Sequence, residues 1–159
     1  VQDMVDRFQY PLPMIEAPRP ITHNRQTGYR TIPGSLILKK NHHDEDICLD
    51  HINRLNAQKL ALNPEVVAFI QNKWKNLDKR KDGETVQDFQ KRKKAFLKFD
   101  RTSRDVIDAM LLAGNEFHLT HKYDKRGRTY CQGYHITYQG NDWNKSCMEF
   151  ADAEPLNAK

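Results

Sequence analysis

The residues whose types and spacing could do chemistry are concentrated between His121 and Lys145. Asp124, Lys125, Arg126 and Gly127 suit a type I turn, with Asp first and Gly fourth, between extended runs expected over 117–123 and 128–136. Such a turn gathers Lys125, Arg126 and Arg128 at one end of a ribbon, where they can grip a phosphate backbone. Asp124, four residues before Arg128, is expected to take a bidentate hydrogen bond from that guanidinium and orient it. The plain alternative is a surface hairpin with a solvated ion pair of almost no energetic weight.

After the hairpin, Gln139-Gly140-Asn141-Asp142-Trp143-Asn144-Lys145 reads as a polar loop opening a helix, with Asn141 or Asp142 as its cap and Trp143, Cys147, Met148 and Phe150 along it. Lys145 falls in the first turn of that helix, where backbone N–H groups attract anions. In the second extended run Tyr130, Tyr134 and Ile136 alternate onto one face, and Cys131, Gly133 and His135 onto the other. Tyrosines so placed either stack on bases or pack a sheet, and sheet packing is the commoner use.

Asp-x-x-Gly-Arg followed by Gln-Gly-Asn-Asp-x-x-Lys resembles the single-subunit RNA polymerases of bacteriophages and mitochondria. The order and spacing of the two pieces carry the resemblance. The stretch from Ile52-Asn53 through Asn63-Pro64-Glu65-Val66-Val67 to Trp74 resembles the helical lead into that family's thumb, and 11–40 matches the preceding segment more loosely.

The resemblance implies a hairpin at the edge of a polymerase palm that holds template DNA and the RNA-DNA hybrid. The family's arginines match Arg126 and Arg128, and its lysine matches Lys145. With Asp124, Lys125, Gly127, Gln139 and Asn141 they form the implied nucleic-acid-binding set, to which a thumb-like helix would add Lys91, Arg92 and Lys94. The family's two metal-binding aspartates and nucleotide-selecting helix lie C-terminal to this region and are absent here. The chain is therefore expected to be a fragment or, preferably, the small subunit of a split polymerase. It would bind no cofactor itself, and Mg2+ would sit on a larger partner chain. A start at Val1 instead of Met suggests that something preceding it was removed.

The elements that must position these residues follow from the rest of the sequence. The expected fold class is α+β: an extended segment over 1–46, a helical thumb-like region over 47–116, and first palm elements over 117–159. Among 159 residues, 38% are hydrophobic and 30% charged, a lean share that leaves apolar surface for a partner. The net charge of +5 suits nucleic acid, an anionic membrane surface or plain solubility. No apolar run reaches spanning length and no signal peptide is evident, so a membrane partner is not expected. Cys48, Cys131 and Cys147 lack CxxC spacing and read as free thiols of a reducing cytoplasm, a bacterial host's if the chain is phage-encoded.

Prolines 11, 13, 18 and 20 favour an extended path over another surface, anchored by Val5, Phe8 and Tyr10. The run Asn41-His42-His43-Asp44-Glu45-Asp46 has metal-ligand types but the wrong spacing, and reads instead as the acidic start of a helix carrying Cys48, Leu49, Ile52 and Leu55. Asn63-Pro64 is a capped helix start, with Val66, Ile70 and Trp74 expected on one face. From Lys73 to Arg104 twelve basic residues face five acidic ones, a net of +7. Asp82-Gly83 should split this stretch into two helices, with Thr85 capping the second and Val86, Phe89, Phe96 and Leu97 along it. A third helix is expected over 103–114, with Val106, Ile107, Met110 and Leu111 inward.

Independent catalysis finds no support, since the chain has no Gly-x-Ser-x-Gly, Walker loop or zinc spacing. Glu149, Asp152 and Glu154 read as the solvated side of a closing helix. The alternative functions are a stand-alone, non-enzymatic nucleic-acid-binding protein and a basic module that meets an acidic protein.

Overall fold

A computed structural model describes residues 1, 2, 4, 5, 9–41, 43, 45, 47–74 and 77–156. The anchor Phe8, the ligand candidates His42, Asp44 and Asp46, and Lys75 of the basic stretch lie outside them. The fold is α+β. After a 3-10 turn at Leu38–Lys40 the order is α1 (Leu49–Ala57), β1 (Leu60–Leu62), α2 (Pro64–Phe69), α3 (Val86–Leu112), β2 (His121–Tyr123), β3 (Thr129–Cys131), α4 (Asp142–Ser146) and β4 (Met148–Phe150).

The helix starts obey local chemistry. Asn63 Oδ1 accepts from the N–H groups of Glu65 and Val66, with Pro64 at the first helical position where its missing N–H costs nothing. Thr85 Oγ1 accepts from Asp88 N–H at 3.1 Å and opens α3.

The two helices expected on either side of Ser103 are one. No Gly or Pro interrupts 86–112, and Ser103 is buried within the helix instead of capping one. The helix ends where Gly114 (φ 107°) and Asn115 (φ 55°) turn left-handed. The expected shared face of Val66, Ile70 and Trp74 does not form, because α2 stops at Phe69 and Ile70 is extended. Tertiary partners hold that segment open: Trp143 Nε1 donates to Ile70 O at 3.1 Å, and Asn141 Nδ2 to Asn72 Oδ1 at 2.9 Å. Trp74 leans instead on Phe96 and Phe99 of α3.

The expected closing helix is also absent. Met148–Phe150 is strand β4, antiparallel to β1 with Leu60 opposite Phe150 and Leu62 opposite Met148. Three-residue strands leave open edges, and amide side chains complete them. Asn115 donates to Leu62 O and accepts from Leu62 N–H, both at 2.8 Å, and so stands in for a strand beside β1. Asn53 brackets Ile21 in the same way.

The main core gathers Leu60, Leu62, Val106, Ile107, Met110, Phe117, Leu119, Ile136, Trp143 and Cys147. A smaller core of Ile21, Leu36, Ile52 and Tyr123 packs the N-terminal segment on the hairpin. That segment therefore covers its own chain: Met14 and His118 exchange both backbone hydrogen bonds, at 2.9 and 2.7 Å. Val86 and Leu97 are exposed, and no residue of α3 before Thr102 is buried, so the basic half of the helix stands outside the core.

Candidate nucleic-acid interface

The hairpin forms as its sequence asks, in a compact version. β2 and β3 pair with His121 opposite Cys131 and Tyr123 opposite Thr129. Gly127 N–H reaches Asp124 O at 3.0 Å, and Asp124 N–H reaches Arg128 O at 3.0 Å, which closes a three-residue loop. The loop requires a left-handed residue at its end, and Gly127 supplies it at φ 80°.

Asp124 orients the tip through a different arginine from the one expected. Its carboxylate takes Nε and Nη2 of Arg126 at 2.9 and 2.8 Å, and the N–H groups of Arg126 and Arg128 at 2.9 and 3.0 Å. The tight turn folds Arg126 back over Asp124, whereas Arg128 meets it through the backbone alone. Burial pushes the Asp124 carboxyl up, but the Arg128 N–H and the Arg126 side chain and N–H outweigh it and hold it at about 2. Arg126 thereby spends one edge of its fork on Asp124, and the exposed side chains of Lys125 and Arg128 meet no carboxylate among the described residues.

Gln139 is the link that sequence spacing did not show. Its Oε1 accepts from Cys131 N–H at 2.6 Å and its Nε2 donates to Thr129 O at 3.1 Å, so it completes the outer edge of β3. The second motif thus clamps the strand that carries the first. Asn141 and Asn144 form a reciprocal capping box at the start of α4. That cap takes up N–H groups assigned to anions, and α4 has only five residues, so the helix-terminus basis for phosphate binding at Lys145 falls away. Lys145 instead borders an open cavity of about 570 Å³ lined by Leu55, Leu60, Tyr138, Met148 and Phe150.

The extended run expected to reach Ile136 ends at Cys131, so Tyr130, Tyr134 and Ile136 do not share a face. Tyr130 lies by Arg126, Ile136 is in the core, and Tyr134 stacks on Tyr10. Gly133 permits this turn away from the sheet: a Cβ there would lie 1.9 Å from Ile136 O.

On α3, Lys91 and Lys94 are exposed one turn apart. Arg92 points elsewhere, pairing with Glu84 at 3.0 Å and donating to Lys79 O. Behind the hairpin lies a buried histidine network without a signal in the sequence. His121 Nδ1 meets Asn56 Oδ1 at 2.8 Å and its Nε2 meets the Tyr138 hydroxyl, while His118 Nδ1 meets Asn56 O at 3.1 Å. Burial, then the neighbouring His51, lowers His121 to about 4, so it is neutral and structural at pH 7. The described residues hold no group of three or more His, Cys, Asp or Glu side chains able to bind a metal, and no helix long and apolar enough to cross a membrane.

No family model matches the sequence. Over 90% of its length the chain is 26% identical to a probable DNA-directed RNA polymerase of Agaricus bitorquis, and over 77% it is 26% identical to a probable DNA-directed RNA polymerase of Gelasinospora sp. (strain G114). It spans only 15% and 14% of those proteins. The chain is a distant relative of DNA-directed RNA polymerases.

Proposed function

We propose that this chain is the non-catalytic nucleic-acid grip of a phage-type RNA polymerase, a small subunit with thumb and first palm elements that holds template DNA and the RNA-DNA hybrid beside a larger chain. The observation that carries the proposal is the Gln139 clamp. Two motifs separated in sequence are joined into one rigid unit, and that unit presents Lys125 and Arg128 on an exposed, Asp124-braced tip. Both lie within the stretch similar to the probable DNA-directed RNA polymerase of Agaricus bitorquis, which covers 90% of the chain.

Arg128 and Lys125 would contact backbone phosphates, with Arg126 sharing its charge with Asp124. Lys91 and Lys94 would add sequence-independent, salt-sensitive contacts from α3. The catalytic aspartates and Mg2+ would belong to the partner. The open apolar cavity edged by Lys145 and by Phe150, which is 67% exposed, is a surface the larger chain would cover.

A main core that closes within the chain favours a second reading, a stand-alone nucleic-acid-binding protein. Extension of an RNA primer on a DNA template separates the two. The assay compares this chain alone, a candidate large subunit alone, both together, and both with Arg128→Ala. Extension only in the mixture, lost with the substitution, is the expected result. Full activity from the large subunit alone, or indifference to Arg128→Ala, would sink the grip and leave the stand-alone binder.

A further inference from the structure

Where α3 passes the bend after β3, four rings enclose a small slot. Tyr10 and Tyr134 stack with centroids 3.7 Å apart and planes at 21°. Phe99 stands edge-on to Tyr134 and tilted against His135, at 5.5 Å from each. The slot holds about 180 Å³. That is space for one planar ring system and less than the ~300 Å³ at which sites for drug-sized ligands begin.

His135 forms the buried wall of the slot. His135 is 7% exposed, and its Nδ1 meets Ser103 Oγ at 2.9 Å, but its buried Nε2 has no hydrogen-bond partner. Buried ring nitrogens are normally satisfied, because leaving one bare forfeits its hydration without return. Meanwhile Tyr134 is 42% exposed, and Trp74, 36% exposed and 5.8 Å from Phe99, continues the ring surface outward. Lys98 lines the slot, and Lys91 and Lys94 lie on the same side of α3 at helical spacing.

Flat rings that reach the surface and cations one helical turn apart are the parts of a single-strand binding surface. The rings stack on a base of any identity, and the ammonium groups follow the backbone. We propose that the Tyr10, Phe99, Tyr134 and His135 slot receives one unpaired nucleobase of a single-stranded segment, stacked on the aromatic wall. The nucleic-acid class of the ligand rests on the polymerase reading, while the slot itself rests on the ring geometry and its volume.

The test is fluorescence anisotropy of the full chain with labelled single-stranded 12-mers, oligo-dT and oligo-rU, each against an abasic strand of equal length. Base-bearing strands should bind about tenfold more tightly than abasic ones. Tyr134→Leu should remove that preference and Tyr134→Phe should restore it, with thermal melts confirming that both variants fold. The DNA and RNA arms show which strand is preferred. Equal affinity for base-bearing and abasic strands, or a preference that survives Tyr134→Leu, would overturn the slot. A fully paired RNA-DNA hybrid offers no unpaired base, so Tyr134→Leu should leave hybrid binding unchanged. An unsubstituted chain that shows no base preference while its Arg128-dependent hybrid binding is intact overturns the slot alone. A base preference that persists when hybrid binding fails supports the slot and counts against the grip.

Discussion

Replacing Gln139 with alanine tests whether the second motif clamps the first. The side chain makes two hydrogen bonds to the outer edge of β3, to Cys131 N–H at 2.6 Å and Thr129 O at 3.1 Å. Each bond is worth a net ~0.5–1.5 kcal/mol. Because Gln139 is exposed and water can replace part of the loss, about 1–2 kcal/mol is expected for the pair. For a chain of this length that lowers Tm by roughly 3–6 °C. Hydrogen exchange should show faster opening at the Cys131 amide, with the amides of α3 less affected. Gln139→Glu should be no better than alanine, since it keeps an acceptor for Cys131 but sets a carboxylate oxygen against the Thr129 carbonyl. Hybrid affinity should fall with both variants as the tip loses its brace. Unchanged melting and unchanged Cys131 protection in Gln139→Ala would refute the clamp.

Four further outcomes are expected. His121 sits at about 4 in the fold against 6.5 unfolded, so the unfolded chain binds more protons between those values. The stability from this residue is complete above pH 6.5 and is lost as pH falls through about 4, roughly 3 kcal/mol in all. Urea midpoints should therefore drop from pH 7 to 4.5, with a shallower drop in His121→Gln; buried His135 contributes in the same direction. Gly133→Ala should destabilise more than Gly140→Ala in thermal melts. The new Cβ meets the Ile136 carbonyl at 1.9 Å in the first case, and the movable Asn144 side chain at 2.5 Å in the second, where the cost is about that of a lost cap, ~1 kcal/mol. The double variant Lys91→Ala/Lys94→Ala should lower the slope of log affinity against log salt by about 1.8 with hybrid. Arg92→Ala should show its effect in stability, since that residue holds Glu84.

Some of these features were legible because they are settled within four residues. The caps at Asn63, Thr85 and Asn141 and the turn from Asp124 to Gly127 are contests between a side chain and nearby N–H groups, and residue type decides them. The inward set Val106, Ile107 and Met110 was legible from helical period alone. The motif pair that suggested a polymerase also required no fold.

Tertiary structure decided the rest. A three-residue strand has no measurable period, so β4 reads as the end of a helix until β1 offers it a partner. Whether Asp124 takes Arg126 or Arg128 depends on how tightly the loop closes, which spacing cannot fix. Ile70 and Trp74 leave the helical pattern because Trp143 and the ring cluster on α3 compete for them from far along the chain. The Gln139 clamp and the His121 network have the same origin. The sequence by itself determined the turn, the caps and the charge; only the folded chain determined which distant backbone groups needed a partner, because that need arises when strands too short to satisfy one another are buried together.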